Sequence, residues 1–292
     1  MPVEEESMPV RKESLIDDAV TLNPYPDDPY VTPETAALPV SSFFPNLSFY
    51  WRMCATLKRA SNIARAGNYT SDDWIRSSIA IREAMEKCGT KVTVAGFSHF
   101  KNMDGPCVFI GNHMSTLETF MLPGLIRPFR PVTFVVKRSL LVYPVFSHIM
   151  RAREPIVVDR KDPRADFTAV MRGGLENLAK GISVIVFPQS TRYFGLNRQH
   201  FNSMGVKLAR KANVPVVPLA LRTDAWGMNG FFGLLKDHGP IHPEIPVHFR
   251  FGEPMTVTGN GKEEHERVYS FIENSLAEWG IAPETADLPA EA

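Results

Sequence analysis

An imidazole and a carboxylate stand five residues apart just after a predicted strand. The apolar run Pro106 to Ile110 has the pattern of a buried strand, and Ser115 or Thr116 is a typical start for the helix that follows. His113 therefore falls in a strand-to-helix loop, and Glu118 falls in the first helical turn. A histidine can take a proton from a hydroxyl at neutral pH, and a carboxylate can fix its tautomer. The spacing predicts a general base with an orienting acid.

The same residues also fit a purely structural role. Ser115-Thr116-Leu117-Glu118 matches the capping-box pattern, in which the glutamate only returns a hydrogen bond to the backbone at the helix start. The sequence alone leaves both roles of Glu118 open.

A second predicted strand, Gly181 to Phe187, runs directly into a polar turn that ends in a guanidinium at Arg192. Ligands of open α/β sheets collect at the carboxyl ends of strands, and the planar fork of arginine matches phosphate or carboxylate. Arg192 is therefore a candidate for binding an anion, and a surface ion pair is the alternative. The run from Val214 to Leu221 predicts another strand, with Pro215 at its start.

Four ordered blocks together resemble the motifs of one enzyme family. Asn112, His113 and Glu118 fit an Asn-His-x4-Asp motif, with Glu in place of Asp. The other blocks are Ile156-Val157-Val158-Asp159-Arg160, Phe187-Pro188-Gln189-Ser190-Thr191-Arg192 and Val214-Pro215-Val216-Val217-Pro218. From about Lys91 to Met255 the chain resembles the acyltransferases that act on glycerol 3-phosphate and 1-acyl-glycerol 3-phosphate. Gln189 and Ser190 replace the Glu and Gly usual there, and the His-x4-Glu spacing is also similar to that of the late acyltransferases of lipid A assembly.

The resemblance implies a glycerolphosphate-acyltransferase-like fold and O-acyl transfer in phospholipid biosynthesis. The donor would be acyl-CoA or acyl-carrier protein, and the acceptor a lysophospholipid, above all 1-acyl-glycerol 3-phosphate. His113 would be the base and Glu118 its orienting acid. The residues expected to bind substrate are Arg192, Thr191, Ser190, Gln189, Arg160, Lys137 and Arg138. The residues expected to shape an acyl groove are Phe187, Pro188 and Val217. No metal and no cofactor beyond the acyl donor are expected.

Other functions stay open at this point. The acceptor could be a different lipid, as in lysophospholipid remodelling or a lipid-A-like reaction, since Gln189 and Ser190 depart from the family pattern. The chain could also be a catalytically inactive lipid-binding protein of the same fold, or a hydrolase that uses water as acceptor. A serine hydrolase is disfavoured, because the sequence has no Gly-x-Ser-x-Gly elbow.

Composition indicates an ordinary globular protein. The chain has 292 residues, of which 44% are hydrophobic and 22% charged, and its net charge is zero. Its three cysteines show no metal-binding spacing and favour a reducing compartment. The first 18 residues are acidic, unlike a signal peptide, and no apolar stretch approaches the roughly 20 residues that span a bilayer. We therefore expect a cytoplasmic protein, peripheral on the inner face of the membrane, without a transmembrane helix.

Charge is nevertheless sorted along the chain. Basic residues cluster between Arg127 and Arg164, where they could bind phosphate groups or anionic lipid, or form a solvated basic face. Interleaved base-stacking motifs are absent, so no nucleic acid is expected as a partner.

Four segments are predicted along the chain. Residues 1–40 are acidic and Pro-rich and predict a disordered or loosely docked tail, and residues 283–292 form a second acidic tail. Residues 41–90 predict a helical hairpin, whose first helix from Asn46 to Ala66 is basic and amphipathic. This helix suits a membrane-interface anchor, and packing on its own domain is the alternative. Residues 91–282 alternate strand and helix patterns, which predicts a layered, mostly parallel α/β sheet.

Overall fold

Strands and helices alternate along most of the chain. The computed structural model describes residues 19–142, 146–189, 191–228 and 238–282. The helices are α1 Pro39–Phe43, α2 Pro45–Arg65, α3 Ser71–Lys87, α4 Phe97–Phe100, α5 Leu117–Ile126, α6 Phe146–Arg151, α7 Pro163–Ala179, α8 Met204–Ala212 and α9 Lys262–Glu278. The strands are β1 Tyr30–Val31, β2 Val92–Ala95, β3 Val108–Gly111, β4 Val132–Lys137, β5 Ile156–Val158, β6 Ser183–Val186, β7 Val216–Arg222 and β8 Val247–Phe251.

The strands form one eight-stranded sheet in the order β1-β2-β8-β7-β3-β6-β4-β5. Neighbours are parallel except for the pairs β1 with β2 and β7 with β8. The predicted layered, mostly parallel sheet is therefore confirmed. The strand from Tyr30 to Val31 was not predicted, because two residues are too short to show a period of two.

Two helical layers cover the two faces of the sheet. Successive side chains of a strand point to opposite faces, so Phe109 packs towards α2, α3, α5 and α6, while Val108 and Ile110 pack towards α7, α8 and α9. Gly205 lets the start of α8 approach the sheet, because a Cβ there would lie 2.7 Å from Cδ1 of Ile110. Loops that leave the strands therefore emerge between two layers of helices.

The apolar arc of α2 faces the protein core. Phe49, Met53 and Ala64 are buried, and the ring of Phe49 lies 5.0 Å from that of Trp226. The hydroxyl of Tyr50 accepts a hydrogen bond from the indole N–H of Trp226 at 3.0 Å. Of the two alternatives for this helix, packing on its own domain is the one that buries these apolar side chains, so they are not available to a membrane.

The tail docks more firmly than its composition predicts. Tyr25 is buried and stacks on Phe97 with ring centroids 4.9 Å apart, and β1 pairs with β2. The hydroxyl of Tyr30 donates to the carboxylate of Glu86 at 2.7 Å. Disorder or loose docking is therefore wrong for residues 19–40, because aromatic anchors hold them. Residues 1–18 and 283–292 lie outside the described residues.

Three arginines of the basic cluster are structural. Arg127 donates to the hydroxyl of Ser71 at 2.8 Å, and Arg130 donates to backbone carbonyls, including that of Met103 at 2.9 Å. Arg153 lies buried over the ring of Tyr69. These buried guanidiniums brace the fold and are not available to a soluble anion.

None of the described helices combines the length and the apolarity needed to cross a membrane.

Candidate active site

One edge of the sheet collects most of the polar candidates. Strands β7, β3, β6, β4 and β5 are neighbours and run parallel, so their carboxyl ends lie at the same edge. Ligands of open α/β sheets bind at such an edge. The residues that follow these strands are Thr223 after β7, His113 and Glu118 after β3, Gln189, Thr191 and Arg192 after β6, Arg138 after β4 and Arg160 after β5.

His113 and Glu118 are in direct contact. Nδ1 of the imidazole is hydrogen-bonded to Oε2 of the carboxylate. The Glu118 side chain has no solvent exposure, and the His113 side chain is 13% exposed. An ionised carboxylate only accepts hydrogen bonds, so it selects the tautomer with the proton on Nδ1 and leaves the lone pair of Nε2 available as a base. The imidazole also stacks on the ring of Phe187, with centroids 4.4 Å apart.

The two oxygens of Glu118 have different partners. Oε1 accepts hydrogen bonds from the backbone N–H groups of Met114 at 2.7 Å and Ser115 at 2.9 Å. It also accepts one from the hydroxyl of Thr223 at 2.6 Å. The capping contact and the contact with His113 therefore exist together, one on each oxygen. This leaves the carboxylate little freedom to rotate away from the imidazole.

Two residues that support the His113–Glu118 pair were not singled out as site residues from the sequence. The Asn112 side chain donates to the carbonyl of Leu221 at 2.8 Å and accepts from its N–H at 2.9 Å, which joins the end of β3 to β7. Thr223 is fully buried just beyond β7. Asn112 could be found because it adjoins His113 in the motif. Thr223 carries no sequence signal, because only the pairing of β3 with β7 brings it to Glu118.

The turn after β6 lies across the loop that holds His113. Arg192 donates from Nη1 to the hydroxyl of Thr116 at 2.6 Å, and the N–H of Tyr193 donates to the carbonyl of His113 at 2.9 Å. The structure therefore brings the predicted anion-binding guanidinium to the loop between the base and its acid.

Arg160 lies close enough to Arg192 for their charges to interact. Desolvation first, and the charge of Arg192 second, lower the pKa of Arg160, while Asp166 raises it. Neighbouring guanidiniums repel each other, and an anion bound between them removes that repulsion. The pair is therefore the strongest candidate for a phosphate group at this edge.

Three other residues predicted to bind substrate, Arg138, Lys137 and Thr191, have exposed side chains. Arg138 forms an exposed ion pair with Asp159, Nη2 to Oδ2 at 3.3 Å, so a carboxylate already offsets its charge. Among the described residues, no hydrogen bond joins any of these three to His113 or Glu118.

Gln189 holds the loop together. Its side chain is buried, accepts from the N–H of His113 at 3.3 Å and donates to the carbonyl of Gly195 at 3.3 Å. The structure therefore disfavours direct substrate binding by Gln189, because two backbone groups already occupy its side-chain amide.

The acyl-groove prediction is wrong for Val217, since this residue has no exposed surface and lies in the sheet core. Pro188 is buried as well. Ser190 lies outside the described residues.

The edge therefore combines a histidine–glutamate pair with two guanidiniums whose charges interact, an arrangement suited to taking a proton from a hydroxyl on an anionic ligand. The described residues contain no group of three or more His, Cys, Asp or Glu side chains arranged to hold a metal ion.

Comparison with known proteins agrees with this chemistry. A sequence profile of the Acyltransferase family matches residues 91–222. A 1-acyl-sn-glycerol-3-phosphate acyltransferase of Pseudomonas aeruginosa is 29% identical over 214 residues, which cover 72% of this chain and 77% of the relative. A chloroplastic enzyme of the same name from Brassica napus is 31% identical over 152 residues, 52% of this chain and 43% of that protein.

The fold has a solved counterpart. A crystal structure of the 1-acyl-sn-glycerophosphate acyltransferase PlsC from Thermotoga maritima has a TM-score of 0.63 and 17% identity, and it covers 84% of this chain and 99% of that one. This likeness concerns the fold, while the profile covers the segment that carries both His113 and Arg192. Residues 91–222 of this chain therefore form a segment similar to the Acyltransferase family.

Proposed function

We propose that this chain transfers a fatty acyl group from an acyl thioester to the hydroxyl of 1-acyl-glycerol 3-phosphate in phospholipid biosynthesis. The observation that carries the proposal is the His113–Glu118 pair beside Arg192 and Arg160, on one edge of the sheet. The names of the relatives from Pseudomonas and Brassica support this acceptor.

The reaction needs no covalent enzyme intermediate. Nε2 of His113 takes the proton from the acceptor hydroxyl, and the oxygen attacks the thioester carbonyl. The tetrahedral intermediate then collapses, the carbon–sulfur bond breaks, and the imidazolium returns its proton to the leaving thiolate. Glu118 stabilises the imidazolium between the two proton transfers.

Positioning supplies much of the acceleration in such a reaction, since both substrates must be bound at once. We assign the acceptor phosphate to Arg192 and Arg160, because a dianion would offset the repulsion between these two guanidiniums. Thr116 fixes Arg192 relative to the loop of His113. The distance between phosphate and hydroxyl in the acceptor would then select which hydroxyl reaches Nε2.

The test is a product analysis by mass spectrometry of a mixed lysolipid panel with one acyl donor. We expect phosphatidic acid as the main product and a loss of about 10² to 10⁴ in rate for His113→Ala. Thiol release without any lysolipid would favour a hydrolase. Activity of His113→Ala within about twofold of wild type would remove His113 from the mechanism, and wild type without any thiol release would favour the lipid-binding alternative.

We also propose peripheral attachment to the inner face of the membrane through a surface different from the apolar arc of α2. Large apolar side chains are exposed around the start of α2: Val40, Phe43, Phe44, Leu47 and Trp51. Exposed apolar clusters of this kind are typical of interfaces, and exposed Lys58, Arg59 and Arg65 on the same helix suit anionic lipid.

Vesicle binding tests this attachment. Phe43→Ser, Leu47→Ser and Trp51→Ser combined should weaken sedimentation with anionic vesicles and leave turnover of a soluble short-chain acceptor intact. Val31→Ser, an exposed apolar position outside the cluster, is the control. Unchanged sedimentation of the triple variant would contradict the proposal.

A further inference from the structure

A groove lies between α7 and α8, on the outer side of the helical layer opposite to α2. It encloses about 530 Å³. Its apolar floor consists of Phe167, Met171 and Leu175, and Phe167 is 38% exposed although it is large and aromatic. Apolar floors with polar rims are typical of surfaces that receive a partner.

The rim of this α7–α8 groove carries charge of one sign. Arg172, Lys207, Arg210 and Lys211 line it, and no Asp or Glu is among the lining residues. In the described part of the chain, no carboxylate forms an ion pair with these four cations. Lys207 lies over the Phe167 ring at 5.9 Å from its centroid. The groove therefore complements an acidic partner that also offers apolar side chains.

The groove is close to the reacting edge of the sheet. α8 begins at Met204, soon after the turn that carries Arg192, and a Cβ at Gly205 would touch Ile110 of β3. Lys207 to Lys211 lie about 5 to 11 Å along the axis from the start of α8, at 1.5 Å per residue. A carrier bound in the groove could thus hold a flexible thioester arm within reach of His113.

We propose that the α7–α8 groove docks an acidic helix of a carrier protein that delivers the acyl thioester. This inference rests on the proposed function. It specifies that the acyl donor is a thioester bound to a carrier protein. A helix fits between two helices, whereas a flat bilayer surface does not enter a concave groove. The exposed cluster around Phe43 and Trp51 also belongs to the opposite layer, so the groove stays accessible when that cluster meets a membrane.

Charge reversal with two donors tests the docking. Lys207→Glu combined with Lys211→Glu should raise KM for palmitoyl-loaded acyl-carrier protein about tenfold or more, equivalent to about 1.4 kcal/mol. kcat/KM for palmitoyl-CoA should change less than twofold. For wild type, the carrier reaction should slow as ionic strength rises, and the variant should lose most of that dependence. Lys91→Glu combined with Lys101→Glu, exposed residues away from the groove, is the matched control.

Direct titration of the carrier protein separates this inference from the proposed function. If the wild-type protein turns over neither donor, the proposed function fails. The docking would still be supported in that case if the wild-type protein binds the carrier and the Lys207→Glu/Lys211→Glu variant does not. An unchanged KM for the loaded carrier would overturn the docking, as would wild type that uses only palmitoyl-CoA and does not bind the carrier. Two results for the Lys207→Glu/Lys211→Glu variant would also overturn the docking. One is an equal loss of activity with both donors, and the other is a loss of binding to phosphatidylglycerol vesicles while activity with the loaded carrier stays intact.

Discussion

Replacement of Glu118 by Gln tests whether its carboxylate orients the base. Gln can keep its carbonyl oxygen in the place of Oε1, where Met114, Ser115 and Thr223 donate. The reverse orientation would turn the NH₂ group towards those three donors, and each unmade buried hydrogen bond costs about 1 to 3 kcal/mol. The amide is therefore held with its NH₂ group facing Nδ1 of His113.

That orientation disables the base. An NH₂ group at Nδ1 requires an acceptor there, so the proton moves to Nε2, the nitrogen that has to receive the proton of the substrate. The comparable change in a serine protease triad lowers kcat by about 10⁴. We expect a loss of about 10³ to 10⁴ in kcat for Glu118→Gln. The free energy of unfolding should fall by about 1 kcal/mol or less, since the three contacts of Oε1 persist.

Steady-state thiol release and chemical denaturation, measured on the same preparations, check both expectations. Glu118→Asp is the control, because it keeps the charge and shortens the side chain by one bond of about 1.5 Å. Asp should retain measurable activity, as the residue usual in the resembling motif. Wild-type turnover of Glu118→Gln would refute the orienting role and leave Glu118 as a capping residue. A large loss of stability would instead attribute the low rate to a damaged fold.

Three further changes probe the surroundings of the site. Thr223→Val should lower kcat about tenfold at nearly unchanged KM, because the Glu118 carboxylate loses one hydrogen-bond donor. Steady-state thiol release measures both constants, and a change in KM alone would contradict this role of Thr223. Gln189→Glu should destabilise the fold by about 1 to 3 kcal/mol in denaturant titrations, since a carboxylate cannot donate to the carbonyl of Gly195, and unchanged stability would exclude the brace. Burial first, and two neighbouring arginines second, lower the pKa of His248 to about 4, so its contribution to stability is present above its ordinary pKa of 6.5 and lost as pH falls towards 4. Because His248 is partly exposed, we expect the free energy of unfolding to fall by only about 1 kcal/mol over this pH range. His248→Gln should remove this part of the pH dependence of the unfolding free energy, measured by chemical denaturation.

Local patterns were sufficient to predict the fold around the site. β3, β6 and β7 consist of apolar runs bounded by Gly or Pro, so each could be read without tertiary information. The reacting pair was predictable for the same reason, because strand end, loop and first helical turn lie within one short segment. The pairing of Arg192 with Thr116 depends instead on two segments 76 residues apart.

Residues whose role depends on packing were not predictable. Val217 and Arg153 have the types expected of a groove residue and of an anion binder, yet both are buried. The apolar arc of α2 illustrates the same limit, since burial in a core and insertion into a bilayer need the same periodicity. Only the position of Trp226, more than 150 residues later, shows which surface covers Phe49.

The two proposed surfaces place the substrates on different sides of the same sheet. The exposed cluster at the start of α2 belongs to one helical layer, and the α7–α8 groove belongs to the other. His113 lies at the edge between the layers, because Phe109 and Ile110 of β3 point to opposite faces just before it. Direct transfer without an acyl-enzyme requires donor and acceptor to be bound together. Entry from opposite layers meets this requirement, since neither substrate has to leave before the other arrives.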